Sequence, residues 1–176
     1  MSELKGSKTE KNLMAAFSGE SQARNKYNYF AKVARKEGYH YIADIFDETA
    51  LNEMQHAKDE FKFLNGIGNT AENLKEAMDG ENYETVTMYP EFAKTAADEG
   101  FKDIQALFNQ IAKVEAHHRE RYKKLLAKVE NGTFFKSETP VKWKCSKCGY
   151  IVEGKEPPAK CPCCKHPKEY FGPETI

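Results

Sequence analysis

The sequence predicts an all-α four-helix bundle followed by a small C-terminal β/loop domain that binds a metal. Apolar residues recur with helical spacing from about residue 9 to residue 131. The longest predicted helices have roughly 28 residues and a length of about 42 Å, so side-by-side packing is the simplest arrangement. After Gly132 this spacing ends, and prolines, glycines, lysines and all five cysteines gather. We therefore predict two domains, residues 1–135 and 136–176.

The first two helices are delimited by glycines. The first helix is predicted over about Thr9–Lys36, with Gly38 as the glycine that ends it. The second is predicted over about Tyr39–Asn65, before Gly66. Their short connection predicts that the two helices pack as an antiparallel hairpin.

The second half of the helical region contains more interruptions. A short helix is predicted from Asn69–Thr70, with Thr70 as its N-cap. The third main helix is predicted over Gly80–Glu99, and Pro90 should kink it or lie near an irregular turn. The fourth helix is predicted over Phe101–Glu130.

Composition narrows the class of partner and the compartment. Lys plus Arg and Asp plus Glu number 27 each, so no basic excess points to nucleic acid or to an anionic membrane. Residues 1–10 lack the apolar run of a secretory signal, and no stretch approaches the roughly 18 apolar residues of a spanning helix. Five clustered cysteines in a reducing compartment indicate metal ligation rather than disulfides. We expect a cytoplasmic protein.

Acidic residues interrupt the apolar stripe of each main helix. In the fourth helix the stripe includes Ile111 and Tyr122, and Glu115 and His118 occupy positions between them. Buried carboxylates are costly without a partner, so several that converge on one core require cations. The remaining interruptions are Glu20, Glu53 with His56, and Glu81 with Glu84.

A two-metal site explains these interruptions better than chance does. A single stripe-edge Glu, or one Glu-x-x-His, is common on helices and would be a weak signal. Four interruptions at similar depths, arranged as a weak internal repeat of two helical hairpins, favour a shared site with seven candidate ligands. Carboxylate and imidazole ligands favour iron or manganese. The set matches that of di-metal carboxylate bundles.

The cysteines form a second candidate site. Cys145-x-x-Cys148 and Cys161-x-x-Cys164 have the spacing of two turns that face each other across a tetrahedral thiolate site. Cys163 is then a bystander thiol. The residues alone leave a structural zinc ribbon and a single redox-active iron equally open.

Together these motifs resemble the rubrerythrin family over nearly the whole chain. The stretches that carry the resemblance are Glu20-Ser-Gln-Ala-Arg, Glu53-x-x-His56, Gly80-Glu81-Asn-Tyr-Glu84, Met88-Tyr-Pro-Glu-Phe-Ala, Glu115-x-x-His118, Trp143-Lys-Cys145-x-x-Cys148-Gly and Cys161-Pro-x-Cys164-Lys-His-Pro. The resemblance implies a ferritin-like bundle with an oxo-bridged di-iron site. It also implies a rubredoxin-like domain with one iron on Cys145, Cys148, Cys161 and Cys164, for which zinc is a possible substitute.

The resemblance also implies residue roles. The implied ligands of the two irons are Glu20, Glu53, Glu81, Glu84, Glu115 and His118, with Glu53 and Glu115 bridging. On reduction one iron is expected to exchange a carboxylate, Glu84, for His56. Tyr27 and Tyr89 are candidates for hydrogen bonds to ligand oxygens, although a purely packing role stays open for both. His40 and His117 are expected at the surface, and His166 is expected to influence the thiolate iron.

The implied function is that of a non-haem di-iron peroxidase. It would reduce hydrogen peroxide to water in oxidative-stress protection, with electrons from a reductase or small redox protein passing through the four-cysteine iron. The family forms homodimers in which the rubredoxin iron of one subunit lies near the di-iron site of the other, and no nucleic acid or membrane partner is expected. Two alternatives stay open, namely a ferroxidase or iron-handling protein, and a binding module with zinc in the four-cysteine site.

Overall fold

A computed structural model of the chain describes residues 3–174. The helical region contains α1 (Lys8–Lys36), α2 (His40–Phe63), α3 (Thr70–Tyr83), a π-helical turn (Glu84–Met88), α4 (Tyr89–Asp98) and α5 (Lys102–Glu130). It is followed by β1 (Val141–Cys145), β2 (Ile151–Gly154), a 3₁₀ turn (Lys168–Tyr170) and β3 (Phe171–Pro173). This order confirms the predicted helical class with a small C-terminal β domain. Within residues 3–174, no helix is both long and apolar enough to cross a membrane.

The ends of α1 lie close to their predicted positions. At the N-terminal end the Ser7 hydroxyl accepts a hydrogen bond from the Glu10 backbone N–H. At the other end Gly38 has a φ of +89°, and its N–H donates to the Arg35 carbonyl. The next N–H, that of Tyr39, donates to the Ala34 carbonyl at 2.9 Å, which completes a glycine-terminated helix end.

The predicted start of the third main helix at Gly80 is wrong. The helical segment begins at Thr70 and runs through Gly80, because a glycine inside a helix costs only about 1 kcal/mol. Asn69, not Thr70, is the N-cap, and its side chain accepts hydrogen bonds from the N–H groups of Ala71 and Glu72. The Glu72 carboxylate accepts from the Asn69 N–H at 2.7 Å, so the two residues form a capping box.

Pro90 explains the π-helical turn within this segment. Proline has no N–H to donate to the preceding turn, and its ring crowds the carbonyl four residues earlier. The wider turn over Glu84–Met88 absorbs this mismatch, and the Tyr89 N–H donates to the Glu84 carbonyl. The irregular turn predicted near Pro90 is therefore confirmed, and it begins at a candidate ligand.

The chain divides into two compact units, residues 1–68 and 69–176. In the first unit α1 packs against α2 through buried Ala31, Ala34 and Ala43. Small side chains at these positions let the two helix axes approach closely. The Phe17 and Phe61 rings stack at 4.7 Å between centroids.

In the second unit α5 packs against both α3 and α4. Ala93 and Ala96 are buried, and Phe108 contacts the rings of Tyr89 and Phe92. Most of the buried apolar residues described in the helices of the two units are alanines. Phe30, Ile42 and Phe101 are each about half exposed.

The C-terminal sheet has the strand order β2-β1-β3, with antiparallel pairing throughout. Trp143 on β1 is buried beside Cys145, Cys161 and Phe171, and its indole N–H donates to the Gly154 carbonyl at 3.0 Å. This small core fixes β1 and thereby positions the first cysteine pair. The domain boundary at residues 135/136 stays a prediction.

Candidate metal centres

The first acidic cluster consists of Glu20 from α1 and of Glu53 and His56 from α2. One potential ligand atom from each residue lies within 4.8 Å of the others. His56 Nδ1 is 2.9 Å from Glu53 Oε2 and 3.6 Å from Glu20 Oε2. The three-residue spacing places Glu53 and His56 on one face of α2, and the α1–α2 packing supplies Glu20.

The second acidic cluster repeats this geometry with Glu81 from α3 and with Glu115 and His118 from α5. Its ligand atoms also lie within 4.8 Å of one another. His118 Nδ1 is 2.7 Å from Glu115 Oε2 and 3.7 Å from Glu81 Oε2. The weak internal repeat of the sequence therefore corresponds to a repeated three-ligand arrangement.

Charge repulsion acts within the first cluster. A hydrogen bond with Glu53 raises the pKa of Glu20, and desolvation and the negative charge of Glu53 raise it further. The same hydrogen bond, together with one from His56, lowers the pKa of Glu53. Glu53 in turn raises the pKa of His56. Without a cation, Glu20 and His56 therefore hold their protons to a higher pH than they would in isolation.

In the second cluster burial is the main cause of the shift. Desolvation raises the pKa of Glu81, and the hydrogen bond with Glu115 and the charge of Glu115 add to the rise. A cation would favour the ionised form of these carboxylates and take the place of the proton.

Glu84 lies outside the second cluster as the structure describes it. It is the first residue of the π-helical turn, and its charge raises the pKa of Glu81. Desolvation, followed by the charge of Glu84, also raises the pKa of Tyr89. Tyr27, the other candidate tyrosine, packs its ring against Phe46 at 6.1 Å.

Two residues near the clusters escaped the sequence-based prediction. Glu60 Oε2 is buried without a hydrogen-bond partner in residues 3–174, and the charge of Glu60 raises the pKa of Glu20. Glu60 follows Glu53 by seven residues, which is two helical turns along the same face of α2. This spacing could have indicated that Glu60 lies near the first cluster. Arg119 on α5 donates to the Asn82 carboxamide at 3.2 Å and so links α5 to α3 beside the second cluster. No sequence pattern indicated this contact.

The predicted cysteine ligands Cys145, Cys148, Cys161 and Cys164 converge, with all four Sγ atoms within 4.8 Å of one another. The Cys145–Cys164 and Cys148–Cys161 Sγ pairs are each separated by 3.7 Å. Metal–sulfur bonds of about 2.3 Å place tetrahedral sulfurs about 3.8 Å apart, so the described spacing fits a metal ion.

Equivalent backbone turns build the two halves of this site. The Gly149 N–H donates to the Cys145 carbonyl at 2.8 Å, and the Lys165 N–H donates to the Cys161 carbonyl at 2.9 Å. Gly149 and Lys165 have φ values of +78° and +63°. The thiols thus project from two matched turns held in place by the backbone.

The thiols of the metal-free site share their protons unequally. A hydrogen bond with the Tyr150 backbone lowers the pKa of Cys148, but desolvation and three neighbouring thiols outweigh it and raise the pKa to about 12. Desolvation raises the pKa of Cys161, but hydrogen bonds from the Cys164 and Cys163 backbone groups outweigh it and lower the pKa to about 7. Metal binding would displace the remaining protons.

The other histidines and Cys163 lie outside the three clusters. Cys163 is exposed, as are His40 and His117, and for both histidines this confirms the predicted surface location. His166 Nδ1 lies 3.1 Å from the Cys164 carbonyl oxygen, and the His166 ring packs against Tyr170. His166 therefore contacts the backbone of one thiol-bearing residue.

Comparison with known proteins identifies the family. The family model described as rubrerythrin matches residues 11–126, and the model described as the rubrerythrin rubredoxin-like domain matches residues 143–172. The chain belongs to the rubrerythrin family. A rubrerythrin of Porphyromonas gingivalis is 52% identical over 97% of this chain and 92% of its own length. Rubrerythrin-1 of Clostridium acetobutylicum is 50% identical over 97% of this chain and 96% of its own length.

Membership of the rubrerythrin family identifies the cofactors as a di-iron carboxylate site and a four-cysteine, rubredoxin-like iron site. The residues present fit both groups. Tetrahedral sulfur spacing suits the single iron. Two clusters of carboxylates with one histidine each, and an unpartnered buried oxygen of Glu60, suit hard cations.

We predict that Glu81→Gln stabilises the metal-free protein at pH 7 by on the order of 1 kcal/mol, because it removes a carboxylate whose ionisation burial and Glu115 oppose. The folded-state pKa lies above the ordinary value of 4.5, so this gain should shrink as pH falls toward 4.5. Urea unfolding followed by helical circular dichroism at several pH values would measure it. Glu76→Gln, an exposed change on the same helix, is the control. A Glu81→Gln variant less stable than the parent at pH 7 would contradict the prediction.

Proposed function

We propose that this protein is a peroxidase that reduces hydrogen peroxide to water at a di-iron site and protects against oxidative stress. One observation carries the proposal: two matched carboxylate–histidine clusters occur in the same chain as a four-thiolate site. A two-electron reduction needs a centre that delivers a pair of electrons and a means of replacing them. The chain has a candidate for each need.

We propose that the two acidic clusters together hold the two irons. The proposed ligands are Glu20, Glu53, Glu81, Glu84, Glu115 and His118, with His56 as an alternative ligand. Glu53 and Glu115 are the proposed bridges. Of the acids in the two clusters, their side chains are the least exposed, at 16% and 14%, against 31% for Glu20 and 19% for Glu81.

When bound, the two irons supply the pair of electrons that cleaves the O–O bond of hydrogen peroxide. The protein's own residues hold the charge and the protons around them. The phenol of Tyr89 is protonated at neutral pH, and its raised pKa extends that range upward, so it can donate a hydrogen bond. Charges on Glu81, Glu84 and Glu115 all contribute to this rise, which supports the proposed role of the phenol beside these residues. We propose the same supporting role for Tyr27.

Electrons would be replaced through Cys145, Cys148, Cys161 and Cys164. The rubredoxin-like domain of the family implies electron transfer with a redox protein, and we propose a reductase or small redox protein as the donor. Five free cysteines fit a reducing compartment, which supports a cytoplasmic location.

We also propose that the protein acts as a homodimer. Each unit exposes large apolar side chains, including Ile42 and Ile45 in the first and Ile104 and Leu107 in the second. Apolar surface of this kind favours burial against another protein surface.

The first test of the proposed function compares oxidants. We expect hydrogen peroxide to oxidise the fully reduced protein about 100-fold faster than dioxygen does, a difference of roughly 2.7 kcal/mol in activation free energy. Stopped-flow absorbance with stoichiometric oxidant measures both rates. Comparable rates would favour iron oxidation and storage over peroxide reduction.

A second test addresses the supply of electrons. Cys148→Ser should leave the di-iron absorption intact and reduce peroxide turnover with a protein reductant to background, because one of four thiolate ligands is lost. Cys163→Ser is the matched control, since Cys163 is exposed and lies outside the cluster, and its turnover should equal that of the parent. Full turnover by the Cys148→Ser protein would exclude the four-cysteine route.

We propose that His56 and Glu84 alternate as ligands when the redox state changes. The internal repeat aligns Glu20 with Glu81, so Ala23 aligns with Glu84 and the first half has no equivalent of this acid. Glu84 is thus a surplus ligand at an irregular turn. His56 is 60% exposed, against 38% for His118, which leaves its ring more room to move.

This alternation predicts an effect that depends on redox state. His56→Ala should leave the spectrum of the oxidised di-iron site almost unchanged and alter that of the reduced site. His118→Ala, at the equivalent position of the second cluster, should alter both spectra. Mössbauer or magnetic circular dichroism spectra of the two states provide the comparison. If the reduced His56→Ala protein matches the parent, the alternation does not occur.

A further inference from the structure

A short connection joins the first hairpin, formed by α1 and α2, to the second hairpin, formed by α3, α4 and α5. Because α2 ends at Phe63 and α3 begins at Thr70, only residues 64–69 lie between them. The first of these residues close the last turn of α2, since the Gly66 N–H donates to the Phe61 carbonyl at 2.9 Å. The connection therefore has little length with which to span a distance.

The reach of this connection follows from backbone dimensions. An extended chain advances at most about 3.6 Å per residue, so the steps from Phe63 to Thr70 cover at most about 25 Å. Gly66 still belongs to the turn that ends α2, so the part of the connection that can extend reaches only about 14 Å. Such a connection joins two helix ends that lie near each other.

A ferritin-like bundle places a different demand on the connection between its two hairpins. Bundles of this class contain one long crossover, which returns the chain along the bundle. The hairpin loops, here at Gly38 and Gly100, then lie at opposite ends of the bundle. The helix before the crossover and the helix after it consequently meet the crossover at opposite ends as well.

The positions of the proposed ligands give the distance that a crossover would have to span. Phe63 lies about 15 Å beyond Glu53 along α2, and Thr70 lies about 17 Å before Glu81 along α3. If Glu53 and Glu81 of one chain lay at the same level of such a bundle, these helix ends would be about 30 Å apart along its axis. That distance exceeds the reach of residues 64–69 even when they are fully extended.

Each hairpin also has an apolar face that continues from its proposed ligands. Ile42 precedes Glu53 by about three helical turns on the same side of α2, and Ile104 has the same relation to Glu115 on α5. The exposed fractions of Ile42 and Ile104 are nearly equal, at 48% and 44%. The two equivalent faces therefore have equivalent apolar surface to bury, and each hairpin is a suitable cover for the other.

From this geometry we propose that two copies of the chain form a hairpin-swapped dimer. Each di-iron site then combines the first hairpin of one subunit with the second hairpin of its partner, so that neither subunit holds a complete site. The inference deepens the proposed function, in which the two acidic clusters together hold the irons. Exchange of equivalent hairpins closes with two-fold symmetry. The short connection then passes from one bundle to the next and does not have to span either of them.

A mixed dimer of two ligand variants tests which subunits build a site. Glu53→Ala alters the first cluster and Glu115→Ala alters the second, so a dimer of either variant alone should lose the di-iron absorption. The two variants carry different affinity tags, are produced together, and are purified over both tags. In a swapped dimer the two unaltered hairpins meet, and about half of the di-iron absorption and of its bound iron should return.

The control is a mixed dimer of two variants of the same cluster, Glu20→Ala and Glu53→Ala. Every site of this dimer contains an altered first hairpin, so no absorption should return. Gln in place of Ala repeats both experiments with side chains of nearly the same size. The readout is absorption and bound iron, so it does not depend on whether the protein turns over peroxide.

Three outcomes would overturn the swap. If the Glu53/Glu115 mixed dimer regains no absorption, each site belongs to one chain, and the proposed peroxidase activity is unaffected. If no mixed dimer is recovered over the two tags, the subunits do not share hairpins. If either single variant keeps the absorption of the parent, one cluster holds the irons alone, and the shared site of the proposed function falls with the swap.

Lengthening the connection tests the geometric cause of the swap. An insertion of about 15 Gly and Ser residues between Ile67 and Gly68 is long enough to let the hairpins of one chain pair with each other. Recovery by the Glu53/Glu115 mixed dimer should then fall severalfold. The same insertion between Gly132 and Thr133, after α5, is the control and should leave the recovery unchanged. Equal recovery with both insertions would contradict the argument from the length of the connection.

Discussion

Several carboxylates lie close together in each helical hairpin, and the electrostatic cost of this placement governs much of the structure. Within each acidic cluster, one acid has a raised pKa because burial and a neighbouring carboxylate oppose its ionisation. Such an arrangement lowers the folding stability of the metal-free protein, and it becomes favourable when cations bind. The helices must be positioned firmly enough to hold these groups together. Alanine contacts in both hairpins and hydrogen bonds from Arg35 to Asp47 and Arg119 to Asn82 serve this purpose.

The two clusters are nearly equivalent in geometry, yet their surroundings differ. The histidine-to-glutamate distances agree within 0.2 Å for each corresponding pair. Asymmetry comes from the π-helical turn that accompanies Pro90 and from Glu84 at its start. Only the second half of the repeat has an extra acid, and the histidine of the first half is the more exposed one. The two groups of candidate ligands therefore differ at Glu84 and in the exposure of their histidines.

The C-terminal domain solves a different physical problem. The described residues that follow α5 bury few large side chains, chiefly Trp143 and Phe171. So small a core provides little folding free energy, and metal–thiolate bonds supply the remainder. The same bonds bring a redox-active group to the surface at Cys148. The stability of this domain and its iron site therefore depend on the same four residues.

The sequence by itself predicted the helical class, the candidate ligands of a two-metal site and of a four-cysteine site, and the family. Helical periodicity marks one face of a helix. The Glu-x-x-His spacing places its two ligands on one helix face, and the Cys-x-x-Cys spacing places its two ligands in one turn. These features therefore depend on local geometry. Local signals were less reliable where two of them competed. Gly80 suggested a helix start, but the Asn69 capping box upstream and the continuous helix through Gly80 prevailed.

Tertiary structure alone decided the equal geometry of the two clusters, the position of Glu84 outside them, the buried oxygen of Glu60 and the alanine contacts that leave larger side chains exposed. Each of these depends on how one helix packs against another, and distances across a helix–helix contact are not encoded in residue spacing along a single helix.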